Sequence, residues 1–178
     1  MTRRVLYLIG CAAPPVRYID RPVREARRRG WEVCLGLTPT AATWVEGRLP
    51  ELAALTGREV RTVHSVPWKR SDWPPASVIV LAPGTLNTVN AVALGLTLTW
   101  AAGVAVEAVG KRLPLVVMPC VNTGYGAHPQ FARSLEVLRE AGTRVLYGPG
   151  GFVPNEPGGG DPEAFPWELA LDAAEEWG

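Results

Sequence analysis

The sequence predicts a single α/β domain, a doubly wound parallel sheet with helices on both faces. Short, nearly all-apolar runs recur at 4–10, 31–37, 77–81, 113–118 and 144–147. Segments of helical composition separate them. Strands that are apolar on both faces and alternate with helices indicate a parallel sheet covered on both sides, with right-handed crossovers. The chain has 178 residues, and roughly 150 residues per domain makes one domain, 1–178, the expectation.

Each element has its own reason. The first strand, 4–10, is apolar and partly β-branched. Residues 19–29 have helix-forming composition and stop at Gly30, a normal C-terminal signal. The second strand is 31–37, in GWEVCLGL. A short helix is expected over 49–55, ending near Gly57, then a weak strand over 59–63. Strand 77–81 (SVIVL) precedes helical material over 86–109, and 113–118 is again a strand. Over 129–141, Phe131, Leu135, Leu138 and Ala141 recur on one helical face, and Gly142 closes the helix. The last strand is 144–147. Residues 148–165 form a Gly/Pro-rich loop, flexible or ligand-covering, and 166–177 a terminal helix that packs on the domain or on a neighbouring subunit.

Composition excludes several function classes. Hydrophobic residues are 47% and charged residues 20% of the chain, an ordinary globular balance. A formal net charge of +1 gives no reason to expect nucleic acid or an anionic membrane as partner. Arg24 and Arg27-Arg28-Arg29 sit at a helix end, where they complement its dipole. The apolar stretch 91–109 carries Thr97, Thr99 and Glu107 and reads as a buried helical region, not a membrane span. The opening MTRRVLYLIG is too short and strand-like in its apolar part for a signal peptide, and Pro14-Pro15 follows, so a cytoplasmic location is expected. Cys11, Cys34 and Cys120 have no metal-ligand spacing, so neither a disulfide framework nor a metal site is expected.

Folds of this class bind ligands at the carboxyl ends of their strands, which directs attention to the loops after Gly10, Leu37, Leu81, Met118 and Tyr147. The first, Gly10-Cys11-Ala12-Ala13-Pro14-Pro15, is built of small residues and lacks the GxGxxG pattern of dinucleotide enzymes. The second offers Thr38 and Thr40, which can cap a helix or, with free helix N–H groups, form a phosphate site. The third, Pro83-Gly84-Thr85-Leu86-Asn87-Thr88, combines polar side chains with a glycine that permits close backbone approach. The fourth runs from Pro119 to Asn122-Thr123. Either Asn alone is more often a turn residue. Two elbows running from Pro to Asn-Thr at successive strand ends exceed what turns require.

The third loop, in VIVLAPGTLNTVNAVALG, resembles the Pro-Ala-Ser-Ala-Asn-Thr signature of the homo-oligomeric flavin-containing cysteine decarboxylases. MPCVNTGYGAHPQFARSLEVLREAG resembles their second signature, Pro-x-Met-Asn-x-x-Met-Trp, and its following helix. GWEVCLGLTPTAATWV and LAALTGREV fit the same order, so the resemblance spans about residues 5–149. The family includes phosphopantothenoylcysteine decarboxylase, lantibiotic peptidyl-cysteine decarboxylases and, more distantly, flavin prenyltransferases. The resemblance implies a Rossmann-like, flavodoxin-like flavoprotein that binds FMN at a subunit interface in a homo-oligomer, a trimer or a dodecamer built from trimers. It implies that Pro83, Thr85, Asn87 and Thr88 line the isoalloxazine and ribityl chain, and that Thr38 and Thr40 lie near the phosphate. Gly10, Ala12, Gly84 and Pro119 complete the cofactor site, and Asn122 faces both the flavin and the substrate carboxylate. The reaction implied is oxidation of a cysteine-derived thiol, on a small molecule or peptide C-terminus, followed by loss of CO2 with an Asn and a His assisting.

The departures are specific. The family's Thr-Gly-Ser turn after the first strand reads Ala12-Ala13-Pro14 here, losing a hydroxyl and an N–H donor, so phosphate binding must lean on other loops. The family's His position falls near Lys69, and His64 is the nearby candidate base. His128 opens the helix after the second motif, Val121 replaces a Met, Tyr125-Gly126 replace Met-Trp, and Leu98 stands where an aspartate is common. The loop 148–165 has no Cys, which withdraws support for the reductive half of the phosphopantothenoylcysteine reaction. Cys11 and Cys120, at strand ends, serve as buried small hydrophobes or face the flavin. Alternatives are a flavoprotein with a different redox or flavin-modifying role and a non-catalytic flavin-binding oligomer.

Overall fold

A computed structural model describes residues 4–66, 68 and 71–177. Its strands are β1 (Val5–Gly10), β2 (Glu32–Leu37), β3 (Val78–Gly84), β4 (Leu115–Pro119) and β5 (Arg144–Val145), and its helices α1 (Asp20–Arg28), α2 (Pro39–Trp44), α3 (Leu49–Thr56), α4 (Leu86–Ala93), α5 (Trp100–Lys111), α6 (Thr123–Gly126), α7 (Pro129–Glu140) and α8 (Trp167–Glu175). The strands form one parallel sheet in the order β2-β1-β3-β4-β5, the flavodoxin-like arrangement.

The two-residue period of a strand divides the apolar residues between two cores. Leu6, Leu8, Val33, Leu35, Val78, Val80, Val116 and Met118 point to the face covered by α1, α3 and α8. Val5, Ile9, Cys34, Ile79, Leu81, Leu115 and Val117 point to the face covered by α4, α5 and α7. This is why the strands read as continuous apolar runs. Each large aliphatic side chain so buried contributes about 1.5–3 kcal/mol.

Several elements differ from the sequence expectation. The weak strand over 59–63 is not formed. Arg61 makes a single bridge to Gly36, and Val60 alone of the segment is buried, with Glu59 and Val63 exposed. The helical stretch 86–109 is two helices, broken at 94–99, where Gly95 adopts a left-handed φ of 71° and Thr99 caps α5 through the Ala102 N–H at 3.2 Å. Strand 113–118 begins later, at Leu115, because Arg112 ends α5 in the left-handed region and Leu113 donates back to Ala108. The last strand pairs only over Arg144–Val145. Helix α1 starts at Asp20, after a 3-10 turn over Pro14–Tyr18. The helical start expected after the second loop is α2, capped by Thr38, whereas the four residues of α6 are too few to show a period.

The terminal helix α8 lies on the domain itself. Arg29 of α1 binds Glu168 and Asp172 of α8, and the Trp31 indole N–H donates to Glu175 at 2.7 Å. Among the described residues no helix is long and apolar enough to cross a membrane.

Candidate functional site

In a 2-1-3-4-5 sheet the connections leave β1 and β3 in opposite directions, which opens a crevice at their carboxyl ends. Two bonds carry the ladder past the strand ends. Cys11 N–H donates to the Pro83 carbonyl at 2.9 Å and Cys120 N–H to the Gly84 carbonyl at 2.8 Å. They hold the first, third and fourth loops side by side. The Ala82–Pro83 peptide bond is cis.

The third loop then turns directly into α4. Thr85 caps this helix, its Oγ1 accepting from Thr88 N–H at 3.4 Å and lying 3.2 Å from the Thr88 hydroxyl. Thr88 is buried, and its hydroxyl lies against that of Thr85, so it faces into the fold. Burial raises the Cys11 pKa, and the neighbouring Thr88 and Thr85 only partly offset this. The space left by Gly84 is taken by protein. A Cβ there would stand 3.3 Å from Val89 and 3.5 Å from the Met118 carbonyl. Asn87 is exposed on the first turn of α4.

The fourth loop repeats the design. Asn122 caps α6, its Oδ1 accepting from Tyr125 N–H at 2.9 Å, which leaves Nδ2 without a partner among the described residues. The glycine-rich tail is tied beside it, with Thr123 N–H donating to the Asn155 carbonyl at 2.9 Å. Phe152 anchors the tail in the core, 5.5 Å from the Phe165 ring.

Together these loops enclose a cleft of about 420 Å³. Ala12 and Pro14 come from the first loop, Thr85 and Leu86 from the third, Cys120, Val121, Asn122 and Tyr125 from the fourth, and the tail supplies Phe152, Asn155, Glu156, Gly158–Gly160 and Pro162. No Lys, Arg or His is among these lining residues, and Glu156 is the one carboxylate. Burial pushes the Cys120 thiol up to about 12, so it stays protonated.

Of the residues singled out from sequence, Ala12, Thr85 and Asn122 line this cleft. Gly10, Pro83, Gly84 and Pro119 are at the strand ends outside this lining, and Thr88 is in the first turn of α4. Thr38 is buried and spends its hydroxyl on the Ala41 N–H, while Thr40 is exposed. His64 is not in the cleft. It borders a separate cavity of about 480 Å³ with Arg58, Arg61 and Trp73, which shares no lining residue with the first. The position aligned with the family His, Lys69, lies outside the described residues. His128 caps α7, its Nδ1 accepting from Gln130 N–H at 3.1 Å. Among the described residues no cluster of His, Cys, Asp and Glu could hold a metal ion.

Leu86, Asn155, Glu156 and Pro162 also belong to the cleft, and sequence reading did not single them out. Asn155 and Glu156 were visible as the polar residues in VPNEPGGG, but nothing local says that this tail folds back over β4.

The model of a family described as Flavoprotein matches residues 6–165. Among solved structures, the FMN-dependent cysteine decarboxylase TvaF from thioviridamide biosynthesis aligns with a TM-score of 0.72 at 20% identity, covering 98% of this chain and 99% of that one. The FMN-dependent cysteine decarboxylase SpaF aligns at 0.68 and 19% identity, covering 97% and 98%. AnUbiX (PadA1), in complex with FMN and dimethylallyl pyrophosphate, aligns at 0.67 and 16% identity, covering 81% and 77%. At these identities the likeness to solved structures establishes the fold. No curated protein sequence matches the chain.

Proposed function

The chain belongs to the Flavoprotein family, and we propose that it is an FMN-binding enzyme that oxidatively decarboxylates a thiol-bearing carboxylic acid, a cysteine-containing small molecule or a peptide ending in cysteine. The observation that carries the reading is the cleft at the β1/β3 switch point, where the free amide of Asn122 stands beside the start of α4 and the tail closes over both.

The residues suit a flat, polar-edged ring. Ala12, Pro14, Val121 and Phe152 give apolar walls, while Asn122 Nδ2 and the Leu86 and Asn87 N–H groups at the start of α4 offer donors to ring carbonyls. Bound there, FMN would supply a two-electron oxidant. Pro83, Gly84, Thr85, Asn87 and Thr88 would hold the ring and ribityl region, directly or by fixing the elbow, with Gly10, Ala12 and Pro119 shaping the strand ends and Thr38 and Thr40 on the phosphate side. Asn122 Nδ2 would orient the substrate carboxylate, and the tail would exclude water. The net change is loss of CO2 and two hydrogens, converting a C-terminal cysteine to an enethiol. His64 has no part in this proposal because it borders the other cavity.

Incubating the flavin-loaded protein with peptides ending in cysteine should release products lighter by CO2 and two hydrogens. Unchanged peptides would count against decarboxylation. The second reading, a flavin-modifying or non-catalytic flavin-binding role, is favoured by the absence of any His among the cleft residues. We also propose a cytoplasmic homo-oligomer, a trimer or dodecamer. The apolar, exposed Leu94, Leu96 and Leu98 between α4 and α5 support self-association.

A further inference from the structure

A phosphate dianion that gives up water needs donors or cations in exchange. The first loop has little to offer. Cys11 N–H is bound to Pro83 O, Ala13 N–H to Cys11 O and Val16 N–H to Ala13 O, and Pro14 and Pro15 have no N–H at all, which leaves the neutral Ala12 N–H as the loop's donor to the cleft. In the second loop Thr38 N–H is bound to Gly10 O, Pro39 has none, and Ala41 N–H is held by the Thr38 hydroxyl, which leaves exposed Thr40 to offer neutral donors outside the cleft lining. The cleft lining adds one carboxylate and no cation. A doubly charged group would therefore be poorly matched in the cleft that suits the ring.

A matching charge lies next to it. A second cleft of about 660 Å³ shares Pro14 and Pro162 with the first, and Arg17, Tyr18, Trp44 and Arg48 are among its lining. The Arg48 guanidinium is committed to Asp20, to Glu51 and to the Arg17 carbonyl. Arg21, Arg24, Arg28 and Arg29 each have a carboxylate partner. Arg17 has none within ion-pair distance among the described residues, and it is exposed at the cleft.

We propose that Arg17 binds the phosphate of the flavin mononucleotide, an assignment that rests on the flavin reading above. The ring occupies the Asn122 cleft, the chain passes over Pro14, and the phosphate meets the guanidinium in the adjoining cleft. A guanidinium engages phosphate oxygens in pairs, so it supplies both the charge and the geometry that the first loop lacks.

The test is a titration of the flavin-free protein with FMN and with riboflavin, followed by flavin fluorescence, in wild type, Arg17→Gln and Arg17→Lys. Wild type should bind FMN about tenfold or more tightly than riboflavin, the scale of a charge-assisted hydrogen bond. Arg17→Gln should bring the two affinities within roughly threefold while riboflavin binding stays unchanged, and Arg17→Lys should restore part of the preference. An FMN preference that survives Arg17→Gln, or an equal loss for both ligands, overturns the assignment. Failure of the wild type to bind either ligand overturns the flavin reading, and the assignment with it.

Discussion

Asn122 has two jobs that substitution can separate. Its Oδ1 caps α6, which Asp can do equally well, whereas its Nδ2 is a donor that Asp lacks. Asn122→Asp should therefore keep the fold but repel a substrate carboxylate, lowering turnover by about 10²–10³. Asn122→Ala should lose turnover and also about 1 kcal/mol of stability with the cap. Full turnover in Asn122→Asp, measured by product mass, would remove this residue from the chemistry. Cys120 gives a second check. With its pKa pushed up to about 12 by burial, its thiolate fraction is small, and labelling by a disulfide reagent at pH 8 should run about tenfold or more slower than for a free cysteine. At this scale the sequence was partly legible. The two elbows announced themselves because Pro-to-Asn-Thr recurs at consecutive strand ends. The inward turn of Thr88 was hidden, because it depends on how α4 packs against the sheet.

Elements were legible where a period or a stop residue was long enough to count. The apolar strands and α7 show this, and α7 buries the expected Phe131, Leu135 and Leu138. The failures have one cause, which is that tertiary contact decides short segments. Residues 59–63 have strand-like composition, yet only Arg61 reaches β2. Its guanidinium instead lies over Trp73, at 4.4 Å from the ring centroid. That aromatic packing sets a testable limit on β2. A Cβ at Gly36 would come within 2.3 Å of the Trp100 ring, itself edge-on to Trp73 at 5.5 Å. Gly36→Ala should cost about 1–3 kcal/mol by overpacking, measured by denaturant unfolding, and a neutral result would mean that the ring can move aside. After the central strand β3, Thr85→Ala should cost about 1 kcal/mol as α4 loses its cap, while Thr85→Ser should not.

Across the whole molecule, charge ties the first helix to the last. Hydrogen bonds from Arg28 and then Arg29 hold the Glu25 carboxylate down at about 2, against an ordinary value of 4.5. A carboxylate whose folded pKa is depressed stabilises the fold fully above its ordinary range. That contribution fades as pH falls through the folded value. Melting temperature should therefore drop between about pH 4.5 and 2, and Glu25→Gln should flatten part of that slope. Arg29 reaches on to Glu168 and Asp172, so loosening this cluster should also loosen α8 from the sheet. FMN in the switch-point cleft is what every functional step above depends on. Reconstitution of the purified protein with FMN, followed by its visible spectrum and the mass of the ligand released on denaturation, tests this most directly. The protein should be yellow and release one FMN per chain. A protein that stays colourless after reconstitution and releases no flavin would contradict it.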